Sequence, residues 1–337
     1  MKIAVTYNSR QGELLWPRGP FAGETYPPHY LAKIVSALES GGHEVVAMDA
    51  DRQLVERLAD FFGHSSADEW PGMVFNLAYG LQGHYRYSHV PAMAEMLGLP
   101  YVGSDLLGHA LASDKAIAKR LFREAGLPTP AFHLVESARD LPRETDYPCV
   151  VKPVAEALSL GVRLVNDETD LRRAVVEDLA TFRTPVLVET YAPGREINVG
   201  ILGNGPPRAF PVVEVTLGDE IPSLYTREEK SGLGPREPEL LCPAPLTPSL
   251  ARKAQDLALL AFQTLRCRDW GRVEMRLDET EGLQVLEVNT IPGLGPHSSF
   301  PLGARAVGLD TLESLVEAIL ETAIQRYTRA GYGPPRE

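Results

Sequence analysis

Gly271 to Ser299 read GRVEMRLDETEGLQVLEVNTIPGLGPHSS. The alternation in this stretch predicts two strands, Arg272–Leu277 and Leu283–Asn289, joined by a turn around Asp278–Gly282. In the first, Val273, Met275 and Leu277 alternate with Arg272, Glu274 and Arg276, so one face is apolar and the other charged. In the second, Glu287 and Asn289 are two apart and share a face. Pairing of the strands brings Glu274, Glu287 and Asn289 together as three oxygen ligands. Two carboxylates and an amide are a hard donor set that suits Mg²⁺, a cation usually completed by water and substrate phosphates. Arg272 stands beside them as a fixed cation. The competing reading is an ordinary hairpin with a solvated charged face. Against it, the Gly- and Pro-punctuated run Thr290–Pro296 leaves the acidic strand directly, where a substrate loop is expected.

The run GRVE, LEVNTIPGL and HSS resembles the signature of the ATP-grasp ligases, most closely the D-alanine–D-alanine ligase branch. The resemblance implies an α/β chain, α+β in its C-terminal lobes: an ATP-grasp fold behind an N-terminal parallel-sheet (pre-ATP-grasp) domain. It implies ATP and Mg²⁺ or Mn²⁺ as cofactors, with the metal on Glu274, Glu287 and Asn289. The implied reaction phosphorylates a carboxylate with ATP and lets an amine attack the acyl phosphate, giving an amide or peptide bond and ADP.

A chain of 337 residues is long enough for two or three lobes with sizeable cores. The net charge of −12, with no basic stripe to offset it, argues against nucleic acid as a partner. Cys149, Cys242 and Cys267 are scattered, as expected in a reducing cytosol, and Cys149 falls in an apolar strand where packing is its expected role. The chain opens into a strand without a signal-peptide pattern, and no apolar run reaches membrane-spanning length. A cytoplasmic protein with small amino-acid or carboxylate substrates is expected, and the resemblance implies a homodimer.

Outward from the core stretch, strands at Lys2–Tyr7, Glu44–Met48, Met73–Leu77 and Pro100–Val102 alternate with helices at Tyr30–Ser40, Leu54–Phe62 and Val90–Leu97. This alternation predicts a parallel sheet over residues 1–105. A central subdomain at 106–195 and a catalytic subdomain at 196–337 follow. The family's substrate motif after the first strand, Gly-Gly-x-Ser-x-Glu-x-Glu-Val-Ser, is replaced by Tyr7-Asn8-Ser9-Arg10-Gln11-Gly12-Glu13, so only Glu13 or Glu24 offers the acidic contact. The family's His-Gly and Gly-Glu-Asp-Gly are also missing. His84 and Arg86 stand there instead, at the C-terminal edge of the sheet, either as substrate groups or as solvated loop side chains.

The resemblance assigns ATP phosphates to Lys115 of the Asp-Lys pair and to Lys152 of the Lys-Pro strand ending. A helix-surface lysine, with Ser113 and Asp114 as an N-cap and a first-turn acid, is the alternative for the former. The phosphate loop that follows keeps only Ser159 and Gly161, with Ala157 and Leu158 where a Gly and a Ser are expected. The hinge Glu189-Thr190-Tyr191-Ala192 is implied to read adenine through its backbone. Glu196, seven residues after Glu189, is implied to bind the ribose hydroxyls. In the lid-like segment Tyr225–Leu241, Lys230 matches the family's lysine, but Ser231 replaces its tyrosine. Arg272 and the backbone of the Gly293 loop are implied to steady the oxyanion of amine attack. Ser298 is the candidate for the acceptor carboxylate, an N-cap role before Phe300–Val307 being equally open. Three readings follow: a ligase of this type with other substrates, a true D-alanine–D-alanine ligase, or a nucleotide-binding regulatory protein without turnover.

Overall fold

The structure is a computed structural model, and the residues described are 1–9, 25–63, 70–157, 159–216 and 238–332. Glu13, Glu24, Leu158, Lys230 and Ser231 lie outside the described residues. The first sheet is built from β1 (Lys2–Tyr7), β2 (Glu44–Asp49), β3 (Met73–Asn76) and β4 (Tyr101–Val102), in the order β2-β1-β3-β4 with every pairing parallel. Helices α1 (Pro28–Ser40), α2 (Leu54–Phe62) and α3 (His89–Met96) supply its crossovers. Pro28 sits at the first turn of α1, where its missing N–H costs nothing, so this helix starts two residues before the expected Tyr30.

Helices α4 (Leu106–Ser113) and α5 (Lys115–Glu124) lead to the second sheet, formed by β5 (Phe132–Val135), β6 (Cys149–Pro153), β7 (Arg163–Val165) and β8 (Val186–Thr190). Its order is β5-β8-β6-β7, all antiparallel, and α6 (Glu168–Phe182) covers it. Val151, Val165, Leu171, Val175 and Val188 form the core between helix and sheet, and Cys149 packs among them.

The third sheet contains β9 (Arg195–Leu202), β10 (Arg208–Ala209), β11 (Val213–Thr216), β12 (Glu239–Leu241), β13 (Trp270–Leu277) and β14 (Leu283–Asn289), in the order β12-β11-β9-β13-β14 with β10 beside β9. Helix α7 (Pro248–Thr264) packs on its apolar face through Leu250, Ala254, Ala258 and Phe262. After α8 (Ser299–Arg305), α9 (Leu312–Arg329) is started by a Thr311–Ser314 capping box. This last helix returns to the beginning of the chain: Leu315, Val316, Ile319 and Leu320 share one core with Ile3, Val5, Ile34 and Leu38. Among the described residues no helix is long and apolar enough to cross a membrane.

Candidate active site

The hairpin of the opening stretch forms, with β13 at Trp270–Leu277 and β14 at the expected residues. Glu274 stands opposite Glu287 and Arg272 opposite Asn289 in the antiparallel ladder. The register then shifts, Met275 facing Val285, so Leu286 is the extra residue of a bulge. The charged face of β13 is not solvated, which removes the simple-hairpin reading: Glu274 is 6% and Arg276 5% exposed. Both point into a cleft beneath the second sheet, and buried charges of this kind need partners. Arg272 donates to Glu274 Oε1. Burial works against the guanidinium's charge, but Glu274, with Glu196 and Glu287, outweighs it and holds the pKa above the ordinary value. Asn289 Oδ1 accepts from the Ile291 N–H at 3.0 Å, which turns the chain into the loop carrying Gly293.

Two adjoining clefts enclose about 1230 and about 750 Å³ of partly open space, and Lys115, Glu156, Glu196, Glu274 and Glu287 line both. The smaller cleft has an apolar end at Val150, Val162, Ala192 and Leu286, with Tyr191 beside them. The Arg276 guanidinium lies 6.0 Å from the Tyr191 ring centre and donates to the Gly194 carbonyl at 3.0 Å, which ties the hinge to β13. Glu196, the second residue of β9, is 7% exposed and lines both clefts.

Lys115 and Lys152 are both in this smaller cleft, at the start of α5 and the end of β6. Lys115 donates to the Glu156 carbonyl and sits 3.3 Å from Glu287 Oε2. Asp114 is the N-cap of α5, accepting from the Ile117 N–H at 2.9 Å, so the cap falls one residue after Ser113, the alternative expected from sequence. Lys152 lies 3.1 Å from Glu189, whose carboxylate is also 2.8 Å from Lys119. Burial alone would raise the Glu189 carboxyl, yet the two ammoniums outweigh it and hold it below the usual carboxylate range. Burial also pushes the Lys119 ammonium down to about 8, against the pull of Glu189. Sequence reasoning missed Lys119. Its signal was a lysine four residues after Lys115, on the helix face that also buries Ala118 and Phe122.

The larger cleft reaches the first lobe. His84, Arg86, Tyr79 and Tyr87 form one wall, and Gly293, His297 and Ser298 another. Arg86 is not a solvated loop cation, for it is 2% exposed and its Nη2 lies 3.4 Å from Glu156 Oε2. His84 is held below the ordinary histidine range by burial and by Arg86. Ser298 occupies the N-cap position of α8, which runs Ser299–Arg305 where Phe300–Val307 was expected. The N-cap expectation therefore holds for its place in the chain, while its hydroxyl makes no capping hydrogen bond. A Cβ added to Gly293 would stand 2.8 Å from Ser298 Oγ, which shows how closely the loop passes that hydroxyl. Behind this wall His109, 1% exposed on α4, bonds the Thr290 hydroxyl through Nδ1 at 2.8 Å, and burial pushes its imidazole down to about 4.

A parallel-sheet lobe and two antiparallel sheets that enclose a cleft between them define an ATP-grasp protein. A D-alanine–D-alanine ligase from Bacillus anthracis, solved in complex with ATP, superposes with a TM-score of 0.73 over 98% of this chain and all of that one, at 22% identity. A family model described as the D-Ala–D-Ala ligase C-terminus matches residues 121–321. The uncharacterized protein y4sG of Sinorhizobium fredii is 39% identical over 97% of this chain and 98% of its own length. A D-alanine–D-alanine ligase of Desulforudis audaxviator is 34% identical over 87% and 92%. The chain belongs to the D-alanine–D-alanine ligase family.

Proposed function

We propose that this protein is an ATP-dependent carboxylate–amine ligase, ADP-forming, that makes an amide or peptide bond through an acyl phosphate and uses a substrate other than a pair of D-alanines. The observation that carries the reading is the strand pairing that sets Glu274, Glu287, Asn289 and Arg272 on one cleft wall, facing Lys115. In this reading residues 1–105 form the substrate lobe, 106–195 the central subdomain and 196–337 the catalytic subdomain.

The donor chemistry fits the cofactors. Two carboxylates and an amide oxygen, Glu274, Glu287 and Asn289, suit Mg²⁺ or Mn²⁺. The bound cation supplies charge neutralisation for phosphoryl transfer. The apolar end of the smaller cleft takes adenine against the hinge at Glu189, Tyr191 and Ala192, and Glu196 accepts from the ribose hydroxyls. Lys115 and Lys152 bind the phosphates as point charges, with Lys230 assigned a closing contact. The chain provides no covalent nucleophile in this scheme, so its contribution is alignment and electrostatics. Arg272 and the Gly293 N–H stabilise the oxyanion formed when the amine attacks, and Ser298 holds the acceptor's carboxylate.

The altered first-lobe residues favour a different amino acid, because His84 and Arg86 stand where the family resemblance implies other groups. Named D-alanine–D-alanine ligases among the relatives support the second reading. ADP release measured with single amino acids and pairs decides between them. Turnover with D-alanine alone would establish the second reading, and ATP binding without ADP release across a broad panel would replace both with a regulatory nucleotide binder.

A further inference from the structure

Lys119 lies one helical turn beyond Lys115 on α5 and has no solvent exposure. Its ammonium sits 2.8 Å from Glu189 Oε2 and donates to the Thr129 hydroxyl at 2.8 Å. That hydroxyl donates in turn to the Val285 carbonyl of β14, which fixes the lysine between the two C-terminal sheets. Lys152 approaches the same carboxylate from β6 at 3.1 Å. One buried carboxylate thus carries two ammonium partners where one would neutralise it. The two lysines differ in access, since Lys152 lines the nucleotide cleft and Lys119 lines neither cleft.

We propose that Lys119 is a positioning residue that releases Lys152 for the nucleotide: it keeps Glu189 neutralised while Lys152 turns to a phosphate. The proposal rests on the ligase reading, since it takes the anion met by Lys152 to be ATP phosphate. Removing one partner from a buried ion pair is costly because the remaining charge is left uncompensated. With Lys119 in place, Glu189 keeps a counter-ion when Lys152 shifts. Without it, each contact from Lys152 to phosphate is made at the expense of Glu189. Adenosine carries no phosphate and makes no such demand. The effect of Lys119 is therefore specific to the phosphates, which a general role in shaping the hinge would not be.

The test compares ATP affinity, by titration calorimetry, with adenosine affinity, by saturation-transfer NMR, on the full chain. Lys119→Met is expected to weaken ATP at least about tenfold and leave adenosine within about twofold. Lys119→Met/Glu189→Gln is expected to bring the ATP-to-adenosine ratio back towards wild type, because the buried acid no longer competes for Lys152. Equal losses for ATP and adenosine, or a ratio that the double variant does not restore, overturn the proposal. If circular dichroism shows Lys119→Met unfolded, Glu189→Gln alone carries the test: the ratio should rise severalfold, and an unchanged or lower ratio overturns it. A wild-type protein that binds ATP no more tightly than adenosine removes the ligase reading together with the proposal. Wild-type preference for ATP with equal losses in Lys119→Met removes the proposal alone.

Discussion

Arg272 and Glu274 are two residues apart on one strand, and their side chains meet because strand side chains repeat every second position. The guanidinium is nearly buried and kept charged by its neighbours, so it is a fixed donor that needs no reorganisation when negative charge develops. Arg272→Met should lower kcat by about 10²–10³-fold with little change in the ATP KM, read by coupled ADP release under saturating ATP. Gly293 makes a different kind of contribution. Its value is the absence of a Cβ that would press on Ser298 Oγ. Gly293→Ala should raise the acceptor's KM severalfold while the ATP KM stays constant, as initial-rate kinetics with each substrate varied in turn will show.

Helix α4 and the loop after β14 communicate through His109 and Thr290. The imidazole is buried and neutral, with a folded pKa of about 4 against an ordinary 6.5. Between those values the unfolded chain binds a proton that the folded chain refuses. The stability from this group is therefore complete above pH 6.5 and is lost as pH falls towards 4. At about 1.4 kcal/mol per pH unit the loss is on the order of 3 kcal/mol. Urea denaturation at pH 7 and pH 4.5 should show a smaller pH-dependent loss for His109→Ser than for wild type. Helix α5 shows the same economy of placement: its Asp114 cap fixes where the helix begins and thereby aims Lys115 into the cleft and Lys119 into the core.

Across the whole molecule, the last helix fastens the first lobe to the third sheet. Asp269, fully buried, receives Arg326 Nε and Nη2 at 2.9 Å each, the Gly103 N–H at 2.7 Å and the Asn204 amide at 2.8 Å. Arg326 also donates to the Tyr101 carbonyl of β4 at 2.8 Å. Arg326→Met leaves the Asp269 charge without a cation in the interior and should cost about 3–5 kcal/mol, measured by urea unfolding at pH 7. Arg86 and Glu156 make the matching tie on the cleft side, where the first lobe meets the loop after β6.

Local pattern along the chain is enough to specify the elements and the constellation of the hairpin. Period-two alternation predicts β13 and β14, and residues that share a strand face or stand opposite in a ladder meet by geometry that a chain carries locally. Glu274, Glu287, Asn289 and Arg272 were legible for that reason. The parallel first sheet was legible too, because strands and helices alternate along the chain. Partners that are far apart in the chain are chosen by the way the lobes pack. Lys119 on Glu189, Arg86 on Glu156, His109 on Thr290 and Arg326 on Asp269 join residues 57 to 181 positions apart. A charged side chain on a helix or loop reads as solvated until the packing of lobes removes its water. Burial, which sequence periodicity only approximates, is what makes these pairs obligatory.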